Sequence, residues 1–221
     1  SLGNPRWVGD RVAAVGGVVY HDVTERKWAL KAKDGGVRGL IGVNARAGGH
    51  AGGKSAEELV AECGDLGLPL VCAGGVGDAP DFVAALRLGY AGVQLGTRFI
   101  ATTECNARED YKQAILDADE EDIILTERIT GVPLAVIRTA FVERIGTRIG
   151  PISRWLFRHR RTKHWMRTFY ALRSLRKMKR DSVTGTGTGE YWQAGKSVTG
   201  IGRVEPAGEI VRRFAAAAQA V

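Results

Sequence analysis

Long apolar runs are missing from this 221-residue sequence. No stretch approaches the roughly 20 consecutive apolar residues that a membrane-crossing helix needs, so no transmembrane segment is expected. The first twenty residues lack the charged-then-apolar pattern of a secretory leader, and a cytoplasmic location is the expectation. Cysteine is scarce. Cys63, Cys72 and Cys105 are odd in number and widely spaced, so they offer neither a disulfide framework nor metal-ligand spacing. Buried free thiols are expected, and no metal site. Acidic residues are absent between Arg154 and Arg180, where eleven Lys or Arg fall. The whole chain carries +8, so everything outside that segment carries a net −3.

What is present suits an ordinary globular protein. Hydrophobic residues make up 44% and charged residues 25%, enough apolar surface for a core, which excludes a disordered chain. Glycine is abundant, 30 of 221 residues and about twice the usual share of ~7%. That points to tight turns and close backbone approaches rather than long exposed helices. The opening Ser1-Leu2-Gly3-Asn4-Pro5, without Met, reads like the end of a strand and its turn, and residues upstream are expected.

The first two-thirds has a strand–helix rhythm. Val15 to Tyr20 is a short β-branched run, followed by a helix capped by Thr24 and ended by Gly35-Gly36. Arg38 to Val43 is the next strand. Ser55 and Glu58 have capping-box spacing at the start of a helix with Leu59, Val60 and Cys63 on its apolar face. Leu68 to Ala73 is a third strand. Asp78 caps the next helix, with Pro80 and Asp81 in its first turn. Ala91 to Leu95 is a fourth strand, and a helix spans about Glu104 to Ala118. Apolar strands alternating with amphipathic helices imply a parallel sheet covered by helices, either an open doubly wound sheet or a (βα)8 barrel. Four units are half of a barrel. Beyond about residue 120 the rhythm stops; Ile123 to Leu125 and Val136-Ile137 are short extended segments, and Pro206 to Ala218 is a terminal amphipathic helix.

Three glycine-rich turns follow three successive strands, on the face where parallel α/β proteins bind ligands. The first, Ala47 to Gly53, sets His50 between two glycine pairs; an imidazole there can act as a base near neutral pH. The second, Ala73-Gly74-Gly75-Val76-Gly77-Asp78, runs into a helix and suits an anion such as phosphate. It lacks the third glycine of the dinucleotide fingerprint. The third, Gln94-Leu95-Gly96-Thr97-Arg98-Phe99, offers backbone and hydroxyl donors beside the second. Each turn can equally be a plain structural turn.

The sequences AGGHAGG and LPLVCAGGVGDAPDFVAALRLGYAGVQLGTRFIATTE resemble the nitronate monooxygenase (2-nitropropane dioxygenase) family of FMN-dependent (βα)8 oxidoreductases, whose superfamily includes flavin-dependent enoyl-ACP reductases. The likeness runs from about Ser1 to Gly131, with an echo at YWQAGKSVTGI. It implies that His50 is the active-site histidine, that Gly48 and Gly49 lie near the isoalloxazine, that Gly74 and Gly75 form one half of the phosphate cradle, and that Gly96 and Thr97 form the other. The Tyr191 to Gly200 loop resembles the segment that folds back over the active face, with Lys196 where relatives often carry Gln. Val43, Asn44 and Arg46 depart from the Gln-Gly and Glu that many relatives carry, and Arg46 in place of an acid favours an anionic substrate.

The resemblance implies that these strands are barrel strands 5–8. The expected organisation is a half barrel with FMN-binding loops over 1–120 and a C-terminal extension over 121–221, containing a basic helix and the active-face loop. A half barrel exposes two sheet edges, so this chain by itself is expected to bind FMN weakly unless it pairs with a second copy or its other half. The implied function is oxidation of nitronates or nitroalkanes with O2 to a carbonyl compound and nitrite. The alternatives are an NAD(P)H-dependent flavin reductase acting on enoyl thioesters or quinones, and a non-catalytic phosphate-binding fragment. Expected partners are a small-molecule substrate, with NAD(P)H or an acyl-CoA as candidate second ligands and a homodimer as a candidate assembly. The 154–180 segment mixes cations with Trp155, Phe157, Trp165, Phe169 and Tyr170; it is read as a packed helix with a solvated cationic side, and nucleic acid is not expected.

Overall fold

The computed structural model describes residues 6–150 and 191–219. The opening five residues, the basic 154–180 segment and the Gly/Thr stretch 183–189 lie outside the described residues.

A short helix α1 (Arg6–Ala13) precedes four βα units: β1 (Tyr20–Val23), α2 (Arg26–Asp34), β2 (Gly39–Val43), α3 (Ala56–Cys63), β3 (Leu70–Ala73), α4 (Ala79–Arg87), β4 (Gly92–Gln94) and a one-turn helix α5 (Thr97–Ile100). The strands pair in chain order, β1-β2-β3-β4, all parallel. Consecutive order with a helix after each strand is the arrangement of successive units in a (βα)8 barrel. Local chemistry explains the starts of α3 and α4, whereas α2 has Glu25 rather than the expected Thr24 at its cap position and no side-chain cap bond. The Ser55 hydroxyl accepts from the Glu58 amide at 3.2 Å while the Glu58 carboxylate accepts from the Ser55 amide at 2.7 Å, closing the expected capping box. Asp78 accepts from the Asp81 amide at 3.0 Å and caps α4.

The first strand begins later than the sequence suggested. Val15 and Val18 are 83% and 63% exposed, and strand pairing starts only at Tyr20, opposite Gly39. A β-branched run favours extension but does not fix register; the facing strand does.

The main core lies between the sheet and its helices. It includes Leu40, Leu70 and Cys72 from the strands, Cys63 and Ala85 from helices, and Ile210 and Phe214 from the terminal helix α8 (Ala207–Ala218). Each fully buried large aliphatic contributes about 1.5–3 kcal/mol. Phe214 stacks on Phe82 with ring centroids 5.2 Å apart, fixing α8 against α4. Helix α6 (Glu109–Asp117) follows, then an antiparallel hairpin β5 (Ile123–Thr126) and β6 (Leu134–Ile137), and helix α7 (Ala140–Ile145). The helix expected from about Glu104 thus starts at Glu109. A second apolar cluster joins Ile115, Ile123, Ala135 and Ile137 to Ala194, Val198 and Ile201. No helix among the described residues is long and apolar enough to cross a membrane.

Candidate active site

The three glycine turns begin at one level. Val43 pairs with Ala73, and Ala73 with Gln94, so β2, β3 and β4 end side by side at their carboxyl ends. Asn44, Gly74 and Leu95 therefore start three adjacent turns on one rim. Parallel pairing alone produces this, because every βα unit re-enters the sheet in the same direction.

Asn44 ties the first turn to the second. It is 1% exposed; its Nδ2 donates to the Gly74 carbonyl at 2.9 Å, and its Oδ1 accepts from the Arg46 amide at 2.8 Å. Gly74 has φ +114°, and a Cβ there would lie 2.5 Å from the Ala47 nitrogen, so this position requires glycine twice over. Cys72 lies beneath, its thiol pushed up to about 11 by burial.

The second turn differs in one respect from the expectation of a helix end open to an anion. The Gly77 amide donates to Asp81 Oδ2 at 2.9 Å, and the Asp81 amide is bound by Asp78. Burial raises the Asp81 carboxyl above its ordinary range, the Gly77 amide pulling the other way and the Asp78 charge adding to the rise. The first turn of α4 is thus already engaged by carboxylates, and the part of this rim suited to an anion is the Gly74-Gly75 pair. Gly75 has φ +80° and sits under the Arg46 side chain. Gly96 faces open space where a Cβ would be.

His50 is exposed on this rim. Its Nδ1 lies 2.9 Å from the Pro133 carbonyl oxygen. A carbonyl can only accept, so Nδ1 carries a hydrogen and the neutral ring keeps its lone pair on Nε2. The hairpin that supplies Pro133 is itself pinned to this turn, because the Ala135 amide donates to the Gly49 carbonyl at 2.7 Å.

The 191–200 segment folds back across all three turns. The Gly195 amide donates to Thr97 Oγ1 at 3.0 Å, and the Lys196 amide donates to the Arg46 carbonyl at 2.9 Å. The backbones are in close contact: a Cβ on Gly48 would lie 2.8 Å from the Gly195 nitrogen, and one on Gly200 2.9 Å from Gly77 Cα. Upstream, Trp192 stacks on Tyr111 at 4.7 Å. Thr97, 8% exposed, therefore anchors this segment as well as standing at the third turn.

Charge concentrates at one point. Arg46 Nη1 and Lys196 Nζ both reach Glu120 Oε1, at 2.9 and 3.1 Å. Burial pushes the Glu120 carboxyl up, but the hydrogen bonds from Lys196 and Arg46 outweigh it and hold the group below its ordinary range. Gly48, Gly49, His50, Gly74, Gly75, Gly96 and Thr97 thus come together on one rim. No sequence signal points to Pro133 or Glu120, and Asn44 stands out only as a departure; their partners lie 83, 74 and 30 residues away. Glycine amides, a hydroxyl and two cations form a donor set that suits a phosphate-bearing ligand such as FMN; the space a Cβ would take at Gly74 and Gly75 is filled by Asn44, Ala47 and Arg46, while Gly96 faces open space.

A family model described as nitronate monooxygenase matches residues 3–216. A (3aS,4S,5R,7aS)-5-hydroxy-7a-methyl-1-oxo-octahydro-1H-indene-4-carboxyl-CoA dehydrogenase of Mycobacterium tuberculosis is 32% identical over 61% of this chain and 39% of its own. A Staphylococcus saprophyticus protein named "Probable nitronate monooxygenase" is 33% identical over 53% of this chain and 36% of its own. Among solved structures, FabK from Thermotoga maritima superposes with a TM-score of 0.78 at 25% identity, covering 99% of this chain and 66% of that one. Nitroalkane oxidase from Streptomyces ansochromogenes gives 0.73 at 25% identity, covering 97% and 62%. The chain therefore spans less than two-fifths of the length of these curated relatives and about two-thirds of these solved chains. Its fold is of the (βα)8 type, and its parallel sheet contributes four of the eight units.

Proposed function

We propose that this chain, which belongs to the nitronate monooxygenase family, carries the active face of an FMN-dependent oxidoreductase that converts nitronates or nitroalkanes and O2 to a carbonyl compound and nitrite. The observation that supports this reading is the convergence of His50, Gly74-Gly75 and Gly96-Thr97 on level carboxyl ends of three adjacent parallel strands. Gly74, Gly75, Gly96 and Thr97 would hold the phosphate of the cofactor, and Gly48 and Gly49 would let its ring system approach backbone. When bound, the flavin supplies the redox chemistry, taking electrons from the substrate and passing them to O2.

The protein's own part centres on His50. Its Nε2 accepts the proton from the carbon bearing the nitro group, and the electron pair left behind moves onto that group to give the nitronate. Nδ1 stays protonated on the Pro133 carbonyl, so the imidazolium that forms already has a hydrogen-bond acceptor. The fold-back segment is fastened to the rim at Thr97 and Arg46. In the flavin-loaded enzyme, His50→Asn should lower turnover on neutral nitroalkanes by about 100-fold or more, the usual scale of general-base catalysis. Turnover on preformed nitronates should change far less. Equal losses on both would remove the base role.

A second reading is an NAD(P)H-dependent flavin reductase acting on enoyl thioesters or quinones. The paired cations Arg46 and Lys196 favour it, since both acyl-CoA and NAD(P)H are polyanions. Rapid flavin bleaching on anaerobic mixing with NADH would select the reductase. Phosphate binding without any retained flavin would select a non-catalytic module.

A further inference from the structure

We propose that Arg46 and Lys196 form an anion clamp, closed on Glu120 in the free protein, that takes the phosphate or diphosphate end of the ligand bound at the Gly74-Gly75 turn. The proposal rests on reading that turn as a phosphate rim.

Four observations carry it. Two cations share one carboxylate, leaving a net +1, and the side chains of Arg46, Lys196 and Glu120 are 43%, 35% and 33% exposed, so a ligand can reach them. The cations are not two loose surface groups: the Lys196 amide donates to the Arg46 carbonyl at 2.9 Å, which holds their backbones together. Arg46 lies across the rim itself, since a Cβ on Gly75 would be 2.8 Å from its Nε and 2.9 Å from its Cδ. Finally, Arg46 spends only Nη1 on Glu120. A guanidinium presents five N–H groups in a planar fork, so Nε and Nη2 are left to donate to a second set of oxygens.

Glu120 acts as a stand-in. Partly exposed ion pairs are individually weak, so exchanging the carboxylate for a phosphate costs little. A phosphate offers three oxygens and up to two charges, more than Glu120 can present to two cations. The same chemistry recognises the phosphate of FMN or the diphosphate of coenzyme A or NADPH.

The test titrates the 221-residue chain with FMN, riboflavin, coenzyme A, NADPH and pyrophosphate, following the Gly75 amide and Arg46 Nε–H resonances by NMR. Arg46→Met should weaken every phosphate-bearing ligand that binds by roughly tenfold or more and leave riboflavin unchanged. Glu120→Gln should tighten the same ligands several-fold, the opposite of what loss of a structural ion pair would do. Arg46→Lys, which keeps the charge, should recover part of the loss, and its spectrum and that of Arg46→Met report whether the fold is intact. FMN responding alone identifies the flavin phosphate as the source; coenzyme A or NADPH responding identifies a second substrate. The clamp is overturned if Arg46→Met weakens FMN and riboflavin alike, if Glu120→Gln weakens phosphate binding, or if the wild-type chain binds none of the phosphate ligands. FMN binding indifferent to Arg46 and Glu120 would sink the clamp and leave the flavin reading standing. Arg46-dependent binding of pyrophosphate without FMN would do the reverse.

Discussion

Replacing Glu205 with Gln should destabilise the fold by about 3 kcal/mol at neutral pH, and the reason lies in how one buried carboxylate serves three arginines. Glu205 is 6% exposed and Arg98 is 2% exposed. Arg98 Nη2 binds Glu205 Oε1, Arg213 Nη1 donates to Oε2 at 3.1 Å, and Arg203 Nη2 donates to Oε2 at 3.2 Å. The hydrogen bond from Arg213 leads in holding the Glu205 carboxyl down to about 2 from its ordinary 4.5; burial opposes it, and Arg98 and Arg203 add to it. Holding the carboxyl that far down corresponds to roughly 3 to 4 kcal/mol at ~1.4 kcal/mol per tenfold change in proton affinity. Because the folded pKa is depressed, this stabilisation is fully present above pH about 4.5 and is lost as the pH falls toward 2. Arg203 and Arg213, with side chains 75% and 40% exposed, can turn to water when the carboxylate is removed. Arg98 cannot, and a buried cation left without its partner typically costs about 3–5 kcal/mol. The consequence reaches the site, since Arg98 follows Thr97 at the third glycine turn. The assay is urea unfolding of wild type and Glu205→Gln at pH 7 and pH 2.5. The difference should be about 3 kcal/mol at pH 7 and largely gone at pH 2.5. A difference under about 0.5 kcal/mol at pH 7, or one independent of pH, would refute the argument.

Asn44→Leu should cost about 2–4 kcal/mol in urea unfolding, because the Gly74 carbonyl and the Arg46 amide both lose a buried partner; an effect below 1 kcal/mol would mean that water replaces the amide. Gly195→Ala should cost about 1–3 kcal/mol and speed hydrogen exchange at the Lys196 amide, since the new Cβ would stand 2.6 Å from the Gly48 nitrogen and 2.8 Å from the Arg46 carbonyl oxygen. Unchanged exchange at Lys196 would show that the fold-back segment is held elsewhere.

The βα units were legible because their signals are local. Ser55 with Glu58, and Asp78 with Pro80 and Asp81, announce helix starts within four residues, and the short Leu/Ile/Val runs of β2 and β3 are too brief for anything but strands. The first strand was misplaced because propensity at Val15 to Val19 says nothing about where Gly39 will pair. The level ends of the three glycine turns follow from parallel order, so their meeting on one rim could be anticipated. What could not be seen is everything that locks the rim: Asn44 on Gly74, Pro133 on His50 and Glu120 between Arg46 and Lys196 join residues far apart in sequence, and no spacing rule connects them. The self-capped start of α4 is a different kind of case. Asp81 three residues after Asp78 was visible, but whether its carboxylate turns to solvent or back to the Gly77 amide depends on the packing around it.

Three separate glycine turns and one imidazole are proposed to form one flavin-phosphate site. Amide shift mapping of the 15N-labelled chain during titration with FMN tests it most directly. The amides of Gly48, Gly49 and His50, of Gly74 and Gly75, and of Gly96 and Thr97 should move together along one binding curve. Shifts confined to a single turn, or lying elsewhere on the molecule, would contradict it.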